Sequence, residues 1–387
     1  MTARTIVVGA GVLGLSVAEH LAAMGDAVLV VDRGDPGGGT SRTSFAWLNG
    51  NSKVPPSYQR LNVEGVERYR RLVGQPGTDA WLHLNGRIEW GVGPAETARI
   101  AGVAAAMRAQ DYPVEEITAA AARGLEPDLK VSDGAGVWFW PSEGYVIPSL
   151  YVEWLLARAT SRGVRLATGR EVAGFDLDGG VVRGVVDADG QTLRADRVVT
   201  CVGRWTESLL ASVGVRVPME PAVKGGPALG HLGYSTPAPT RLSRTISTPQ
   251  LSVRPDTPAG RYVLQGHALD RLAEPGTDPD PDGEVGREVL ALARSVLAGF
   301  DDARLDDLRV GYRAVPADRV TVAGWAPGVE GLYVLATHSG YTLSRHLGDL
   351  VAREVANGDE ESTLADFRPS RFGSPVDATA VATRPVH

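Results

Sequence analysis

The chain of 387 residues contains a single cysteine, Cys201, and no apolar run near the roughly 18 residues that span a bilayer. One cysteine excludes an internal disulfide and is typical of a reducing compartment. The net charge of −7 argues against nucleic acid or an anionic membrane as a partner. The first residues already enter an apolar strand, so we expect no signal peptide. With the single cysteine, this predicts a cytoplasmic location. We also expect no metal site.

The most informative motif lies close to the first residue. A short apolar run at 6–8 predicts a buried parallel strand, and Gly9, Gly11 and Gly14 follow at the spacing G-x-G-x-x-G. The first glycine allows a tight turn, the second lets a pyrophosphate approach the backbone, and the third lets helix and strand pack closely. The segment Val12–Met24 has helical periodicity, so its first amides and its dipole would face the phosphates.

An acidic residue completes this pattern. A second apolar strand, Ala27–Val31, ends at Asp32, whose carboxylate can accept hydrogen bonds from a ribose. The order strand, turn, helix, strand, acid predicts a dinucleotide site, and the alternative is a tight structural turn. The Gly-rich loop Gly34–Ser44 could bring its backbone to a phosphate or a ring, or it is a plain flexible loop.

Two later segments favour a flavin. No second G-x-G-x-x-G follows, so a single cofactor is the simpler interpretation. Val198–Trp205 is an apolar strand ending in a small-residue turn, and Leu332–Asp349 is an apolar strand, a Gly turn and a helix. The helix beginning near Thr342 could stabilise negative charge on a reduced flavin ring.

With these segments in view, the chain resembles the D-amino-acid oxidase family of FAD-dependent oxidoreductases, which includes glycine and sarcosine oxidases. The resemblance rests on the N-terminal motif and on four blocks in the family's order. These are VVTCVGRW (198–205), GYRAVPADRVTVAGW (311–325), GLYVLATHSGYTLSRHLGDLVAREVANG (331–358) and FRPSRF (367–372). It is weak across about 85–145 and 219–310, where family members differ by substrate.

The resemblance implies an α/β fold: a discontinuous, Rossmann-like FAD-binding domain of the GR2 type, interrupted by an antiparallel-sheet substrate domain that lies over the flavin. The expected segments are 1–85, 145–218 and 312–372 for the FAD domain, 86–144 and 219–311 for the substrate (cap) domain, and 373–387 as a disordered tail.

The resemblance also implies which residues hold FAD. They are Gly9, Gly11, Gly14 and Asp32 for the ADP half, Thr40, Ser41 and Arg42 near the pyrophosphate and ring, Gly203 and Trp205 in the middle block, and Gly340, Tyr341 and Thr342 at the isoalloxazine. The resemblance implies that a covalent link to flavin would use a cysteine near the C-terminal block, as in sarcosine-oxidase-like members, or a histidine between His20 and His83, as in dimethylglycine-dehydrogenase-like members. This chain has neither, so we expect non-covalent FAD. Cys201 lies in an apolar strand, where a small buried residue is the simpler interpretation than a nucleophile.

Arg313 is the candidate substrate residue. It lies in GYRAVP, which resembles the family segment whose arginine holds the substrate carboxylate, although Ala314 stands where the family usually has proline. A guanidinium can form two parallel hydrogen bonds to a carboxylate and so orient the α-C–H at flavin N5. The alternative is a surface arginine.

Three further residues are candidates near the flavin. Lys53 and Lys224 are notable because the chain has only three lysines, and each lies in a loop expected near the ring. Either could stabilise superoxide or bind an acidic substrate, or be an ordinary solvated lysine. His338, in the turn facing the ring, could tune flavin or amine protonation near pH 7, or serve packing and hydrogen bonding.

The expected function is FAD-dependent oxidation of the C–N bond of an amino acid or small secondary amine. The imine product hydrolyses, and O2 or another acceptor reoxidises FAD. One alternative is C–O oxidation of a 2-hydroxy acid on the same fold. Another is a non-catalytic flavoprotein or a subunit of a larger complex. The sequence specifies neither substrate chirality nor oligomeric state.

Overall fold

The computed structural model describes residues 3–257 and 260–373. The predicted disordered tail therefore lies outside the described residues, apart from Gly373. The described helices are α1 (Val12–Ala23), α2 (Pro56–Arg70), α3 (Pro94–Arg108), α4 (Ala119–Leu125), α5 (Pro148–Ser161), α6 (Thr206–Ala211), α7 (Glu284–Val296) and α8 (Gly340–Asn357).

The described strands fall into two groups along the chain. Those in the first half are β1 (Arg4–Val8), β2 (Ala27–Val31), β3 (Trp47–Leu48), β4 (Leu82–His83), β5 (Arg87–Trp90), β6 (Glu115–Ile117), β7 (Val137–Trp140), β8 (Gly144–Val146), β9 (Arg165–Ala167) and β10 (Val172–Asp178). Those in the second half are β11 (Val181–Asp187), β12 (Thr192–Arg194), β13 (Arg197–Thr200), β14 (Leu229–Ser235), β15 (Thr245–Ser247), β16 (Leu251–Thr257), β17 (Arg261–Gly266), β18 (Leu305–Tyr312), β19 (Val322–Trp325) and β20 (Leu332–Ala336).

A six-stranded sheet in the order β19-β20-β13-β1-β2-β9 forms the centre of the molecule. All of its pairs are parallel except β19 with β20. Its strands are continuous apolar runs because both faces are covered. Val7 and Leu335 belong to the core shared with α1, α2, α5 and α8, whereas Ile6 and Val334 belong to the core on the opposite face.

The opposite face is covered by a three-stranded antiparallel sheet, β10-β11-β12. Gly179 and Gly180 form the turn that joins its first two strands, and both glycines have positive φ. A further small sheet, β3-β8-β4, is also antiparallel.

The largest sheet has eight strands in the order β18-β14-β17-β16-β15-β5-β7-β6. Its strands come from two separate stretches, 87–140 and 229–312, which meet where β15 pairs in parallel with β5. All its other pairs are antiparallel. This large sheet is the predicted antiparallel layer, and the α/β fold class is confirmed; the exact domain boundaries stay a prediction.

The eight-stranded sheet has one apolar face and one polar face. Ile88, Ile246, Val253 and Leu264 are buried in a core that also includes the apolar side of α7. Their chain neighbours Glu89, Ser247, Ser252 and Gln265 line a cavity on the other side. The period of two along each strand produces this division.

Two glycines determine how closely α8 packs against its neighbours. A Cβ on Gly348 would lie 2.3 Å from the Ser16 hydroxyl of α1, and a Cβ on Gly65 of α2 would lie 2.6 Å from the Thr342 carbonyl oxygen. Both contacts require glycine, so α8 lies close between α1 and α2. Its first residue is Gly340, slightly earlier than the predicted start near Thr342.

Two smaller observations complete the description. Cys201 is buried directly after β13 rather than inside the strand, because the strand pairing ends at Thr200. Among the described residues, no helix has the combination of length and apolar composition that crossing a bilayer requires.

Candidate cofactor and substrate site

The described residues surround a cavity of about 840 Å³ that lies between the central sheet and the polar face of the eight-stranded sheet. Val8 and Val31, the last residues of β1 and β2, line it together with Cys201. Open parallel sheets bind ligands at the carboxyl ends of their strands. The cavity therefore lies where the sequence motif predicts a dinucleotide.

The predicted glycine turn has no room for side chains. Gly9 has φ +104°, and a Cβ there would lie 2.5 Å from the Cys201 carbonyl oxygen. A Cβ on Gly14 would lie 1.8 Å from the Gly9 carbonyl oxygen, which is the close helix–strand contact that the motif predicts. Gly11 lies in the cavity wall, and a Cβ there would lie 3.2 Å from the Ser41 hydroxyl, which is tighter than an ordinary contact. This cradle fits the pyrophosphate of FAD.

Asp32 has a structural role as well as the predicted one. Its two carboxylate oxygens accept hydrogen bonds from the Ala10 amide at 2.7 Å and the Gly34 amide at 2.8 Å. Each oxygen keeps a further lone pair for a ribose hydroxyl. The carboxylate thus fixes the turns after β1 and β2, and it lines the cavity.

The Gly-rich loop after β2 contacts both ends of the site. The Ser41 hydroxyl accepts from the Val12 amide at the start of α1, at 3.2 Å, and Thr40 donates to the Tyr312 carbonyl at 2.7 Å. Both residues line the cavity, so the alternative of a plain flexible loop is not supported. Arg42 is the exception, because its side chain is exposed and lies outside the cavity wall. The predicted contact of Arg42 with the cofactor is therefore not supported.

The middle block holds an aromatic side chain against two guanidinium groups. Gly203, with φ +57°, begins the turn after β13, and both it and Trp205 line the cavity. The Arg33 guanidinium carbon lies 3.9 Å from the Trp205 ring centre, and that of Arg204 lies 4.2 Å from it. This arrangement was not predicted from the sequence, because neither arginine belongs to a recognisable motif.

The first turn of α8 forms another part of the wall. Gly340, Tyr341 and Thr342 line the cavity, and Ser339 at the helix start provides no side-chain cap. The Tyr341 hydroxyl donates to the Ser41 carbonyl at 2.5 Å, and Thr342 donates to the Trp47 carbonyl at 3.1 Å. The uncapped helix start thus faces the cavity and can stabilise negative charge there.

Arg313 lines the cavity, so the alternative of a surface arginine is wrong. One terminal nitrogen donates to the carbonyls of Pro227 at 3.1 Å and Leu229 at 2.9 Å, and the other donates to the Asp270 carboxylate. Asp270 is itself fixed, because it accepts from the His231 amide at 2.8 Å. The guanidinium is therefore held in one orientation before any ligand binds.

Gly230 makes room for that guanidinium. A Cβ at this position would lie 2.2 Å from a terminal nitrogen of Arg313 and 2.8 Å from a carboxylate oxygen of Asp270. Neither Gly230 nor Asp270 was recognised from the sequence, since both lie in the weakly similar region.

His338 also lines the cavity, but it does not titrate near pH 7. Burial, together with the positive charges of Lys53 and Arg313, lowers the pKa of His338 to about 3. The ring is therefore neutral at pH 7, and the expectation that it tunes protonation there is wrong. The predicted packing alternative remains.

The two candidate lysines occupy different places. Lys53 is half-buried and lines the cavity. Lys224 is exposed, forms an ion pair with Glu274, and does not line the cavity. The expectation that Lys224 approaches the flavin is therefore not supported, because its loop lies on the outer surface.

The polar face of the eight-stranded sheet was not predicted from the sequence. Its cavity-lining residues include Glu89, Ser247, Ser252 and Gln265, and His267, which also lines the cavity, directly follows β17. The alternation of polar and apolar residues along β5, β15, β16 and β17 is the pattern that could have indicated them. The described part of the chain brings together no group of three or more His, Cys, Asp or Glu side chains that could hold a metal ion.

Burial also explains the behaviour of Cys201. The thiol lies beneath the glycine turn, and burial raises its pKa. A buried thiol with a raised pKa is not a reactive thiolate. This agrees with the interpretation of Cys201 as a small packing residue.

Comparison with known proteins gives the same family. The family model described as DAO, FAD dependent oxidoreductase, matches residues 4–354. Glycine oxidase from Pseudomonas putida is 27% identical over 354 residues, which cover 87% of this chain and 90% of that protein. The 4-methylaminobutanoate oxidase (formaldehyde-forming) from Paenarthrobacter nicotinovorans is 28% identical over 92% of this chain, but the match covers only 44% of that longer protein.

A solved structure shares the fold. Glycine oxidase from Geobacillus kaustophilus superposes with a TM-score of 0.81 at 24% identity, covering 96% of this chain and 99% of that one. The match to the family model spans most of the chain, including the glycine motif, the middle block and nearly all of α8. The chain belongs to the DAO family of FAD-dependent oxidoreductases, and its cofactor is FAD.

Proposed function

We propose that this protein oxidises the C–N bond of an amino acid or small secondary amine, giving an imine that hydrolyses. The observation that carries the proposal is a single cavity in which a cradle for FAD adjoins an oriented guanidinium, that of Arg313. Relatives named glycine oxidase and 4-methylaminobutanoate oxidase support an amine or amino-acid substrate.

Each part of the cavity wall suits one part of the cofactor. The turn at Gly9 and Gly11 and the first amides of α1 would hold the pyrophosphate, and Asp32 would hold a ribose. The first turn of α8 would lie at the flavin ring. Bound FAD supplies a two-electron acceptor for the substrate hydride.

Arg313 would hold the carboxylate of the substrate. Its contacts with Pro227, Leu229 and Asp270 use three of its five N–H groups, which leaves two for a ligand. Because those contacts already fix the guanidinium, little conformational entropy is lost when the substrate binds. A substrate held this way presents its α-C–H in one orientation.

The charges around His338 would favour an unprotonated amine. A substrate nitrogen must lose its extra proton before hydride can leave the adjacent carbon. The positive charges of Lys53 and Arg313 reach the neutral His338 ring, and nearby cations disfavour a protonated amine in the same way. The proton would pass to solvent. Reoxidation by O2 or another acceptor, and a cytoplasmic location, are further parts of the proposal.

The test is anaerobic mixing of the FAD-loaded protein with amino acids, N-methyl amino acids and 2-hydroxy acids, followed by flavin absorbance. Bleaching by amines supports the proposal, and admission of air then shows whether O2 is the acceptor. Bleaching only by hydroxy acids would favour C–O oxidation instead. A flavin that dithionite reduces and no substrate bleaches would favour a non-catalytic role.

The proposed role of Arg313 is tested by a substitution and a matched control variant. Arg313→Ala should raise the concentration of carboxylate substrate needed for half-maximal bleaching by at least about tenfold, since charge-assisted hydrogen bonds are lost. Arg309→Ala is the control, because Arg309 lies in β18, which ends one residue before Arg313, pairs with Asp307 and does not line the cavity. Equal behaviour of the two variants would refute the carboxylate assignment.

A further inference from the structure

The positively charged side chains that line the cavity divide into two groups. Within residues 3–257 and 260–373 they are Arg33, Lys53, Arg87, Arg99, Arg170 and Arg313. Four have a carboxylate partner: Arg33 with Glu171 at 3.6 Å, Arg87 with Glu89 at 3.0 Å and Glu143 at 2.7 Å, Arg170 with Asp187 at 3.4 Å, and Arg313 with Asp270. Lys53 and Arg99 form no ion pair with any carboxylate of the described chain.

The two unpaired cations belong to one wall. Arg99 and Val103 line the cavity and lie four residues apart on α3, hence on the same face of the helix. Met107 continues that face, and its sulfur accepts a hydrogen bond from the Ser52 amide at 3.4 Å. Lys53 directly follows Ser52 in the chain, so it lies near Met107 at the far end of the same helix face. Met107 lies eight helical residues after Arg99, which corresponds to about 12 Å along the axis.

This wall is fixed at both ends. The Met107 contact holds the C-terminal end of α3 to the loop that carries Lys53. Near the other end, the Glu96 carboxylate accepts from the Gln250 side-chain amide at 2.7 Å and the Val92 amide at 2.8 Å. Glu96 lies within one turn of Arg99, but its two oxygens accept hydrogen bonds from these neutral donors and form no ion pair with Arg99.

Lys53 also lies within electrostatic reach of the substrate end of the cavity. Both Lys53 and Arg313 contribute to the low pKa of His338, so both charges act on the same ring. The charge of Arg313 is balanced by Asp270. The charge of Lys53 has no such partner, and the wall it shares with Arg99 therefore carries excess positive charge.

We infer that the substrate carries a second acidic group, which binds between Lys53 and Arg99. The inference rests on the proposed function, in which Arg313 holds the carboxylate next to the oxidised C–N bond. The substrate class is then an amino acid or secondary amine with two carboxylates, the second on its side chain or nitrogen substituent. A second acidic group on the substrate would supply the counter-charge that no carboxylate of the described chain provides to Lys53 and Arg99.

The first experiment uses ligands that cannot be oxidised. Succinate and its half-amide, succinamate, differ by one negative charge, and their binding to the FAD-loaded protein is followed through the flavin absorbance spectrum. We expect succinate to bind about tenfold more tightly. Lys53→Met and Arg99→Met should each reduce this preference, and the double variant should abolish it. Lys224→Met removes a lysine outside the cavity and should leave it unchanged.

The second experiment uses substrates. Aspartate against asparagine and glutamate against glutamine, in both enantiomers and as N-methyl derivatives, are compared for anaerobic flavin bleaching. The acidic members should bleach at lower concentrations, and the difference should disappear in the double variant. Because Arg99 is exposed, its variant serves as the test even if the Lys53 variant misfolds.

The outcomes separate the two proposals. No succinate preference, or a preference that survives in the double variant, overturns the second acidic group. If Lys53→Met slows only reoxidation by O2 and leaves the preference intact, the lysine serves oxygen and the inference is wrong. A preference for succinate without bleaching by any amine keeps the acid site and refutes the proposed function.

Discussion

Replacing Gly65 by alanine should displace the first turn of α8, which forms part of the cavity wall. Gly65 is buried in α2, and a Cβ there would lie 2.6 Å from the Thr342 carbonyl oxygen and 3.1 Å from Leu343. Ordinary carbon–oxygen contacts begin at about 3.3 Å, so α2 and the first turn of α8 must separate by about 0.7 Å. The atom that must move is backbone, and no rotamer change can relieve the contact.

The expected magnitude follows from two opposing effects. Overpacking of this size costs about 1–3 kcal/mol, whereas removing a glycine from a helix returns about 1 kcal/mol. Gly102→Ala is the matched control, because Gly102 is exposed within α3 and a Cβ there meets nothing within 4 Å. The gain in helix propensity is common to both variants, so the difference between them, about 1–3 kcal/mol, measures the steric effect alone.

The assay is urea unfolding of the FAD-loaded proteins, followed by circular dichroism and flavin fluorescence. Gly65→Ala should unfold at lower urea than Gly102→Ala and should lose FAD more readily on dilution, since Thr342 contacts the Trp47 carbonyl in the cavity wall. Equal unfolding midpoints and equal FAD retention would refute the argument that Gly65 sets the position of α8.

Three other predictions concern different parts of the molecule. Gly230→Ala should displace the side-chain ends of Arg313 and Asp270 but no backbone, so we expect a KM for carboxylate substrates about tenfold higher and a nearly unchanged urea midpoint; a large loss of stability would contradict this. Burial alone would raise the pKa of Glu19, but the charge and hydrogen bond of Arg345, together with the charges of His20 and Arg158, outweigh burial and lower the pKa to about 2. Because the folded pKa lies below the ordinary value, this stabilisation of about 3 kcal/mol is complete above pH 4.5 and is lost as the pH falls toward 2. The advantage of the wild type over Glu19→Gln in urea should therefore shrink between pH 6 and pH 3, and a constant difference would refute the assignment. Acid precipitation should release all of the flavin into the supernatant, whereas a yellow pellet would show a covalent link.

The cofactor half of the site could be predicted because its determinants are local. Gly9, Gly11 and Gly14 act on a turn and helix that follow directly in the chain, and Gly9 and Gly14 have no space for a side chain. The helix Gly340–Asn357 was predicted for the same reason, since an apolar strand, a turn and helical periodicity follow one another. Motifs of this kind predict a local structure without any knowledge of which distant segments pack against it.

The substrate half depends on contacts between distant segments. Lys53 and Lys224 both lie in loops of similar composition, and only the fold places one in the cavity and the other beside Glu274. Likewise, the partner that orients Arg313 is Asp270, which comes from a separate segment of the chain. The low pKa of the His338 ring is also a sum over charges from different segments.

The order of strands in the central sheet has a consequence for the protein during its synthesis. β13 lies between β1 and β20, yet β20 is made more than 130 residues later. Until then the apolar edge of β13 has no neighbour, and such an edge can pair with other chains. The FAD cradle also lacks the first turn of α8 throughout this time, because α8 follows β20 in the chain. A nascent chain therefore cannot gain stability from its cofactor, and we expect chaperone dependence during translation rather than after it.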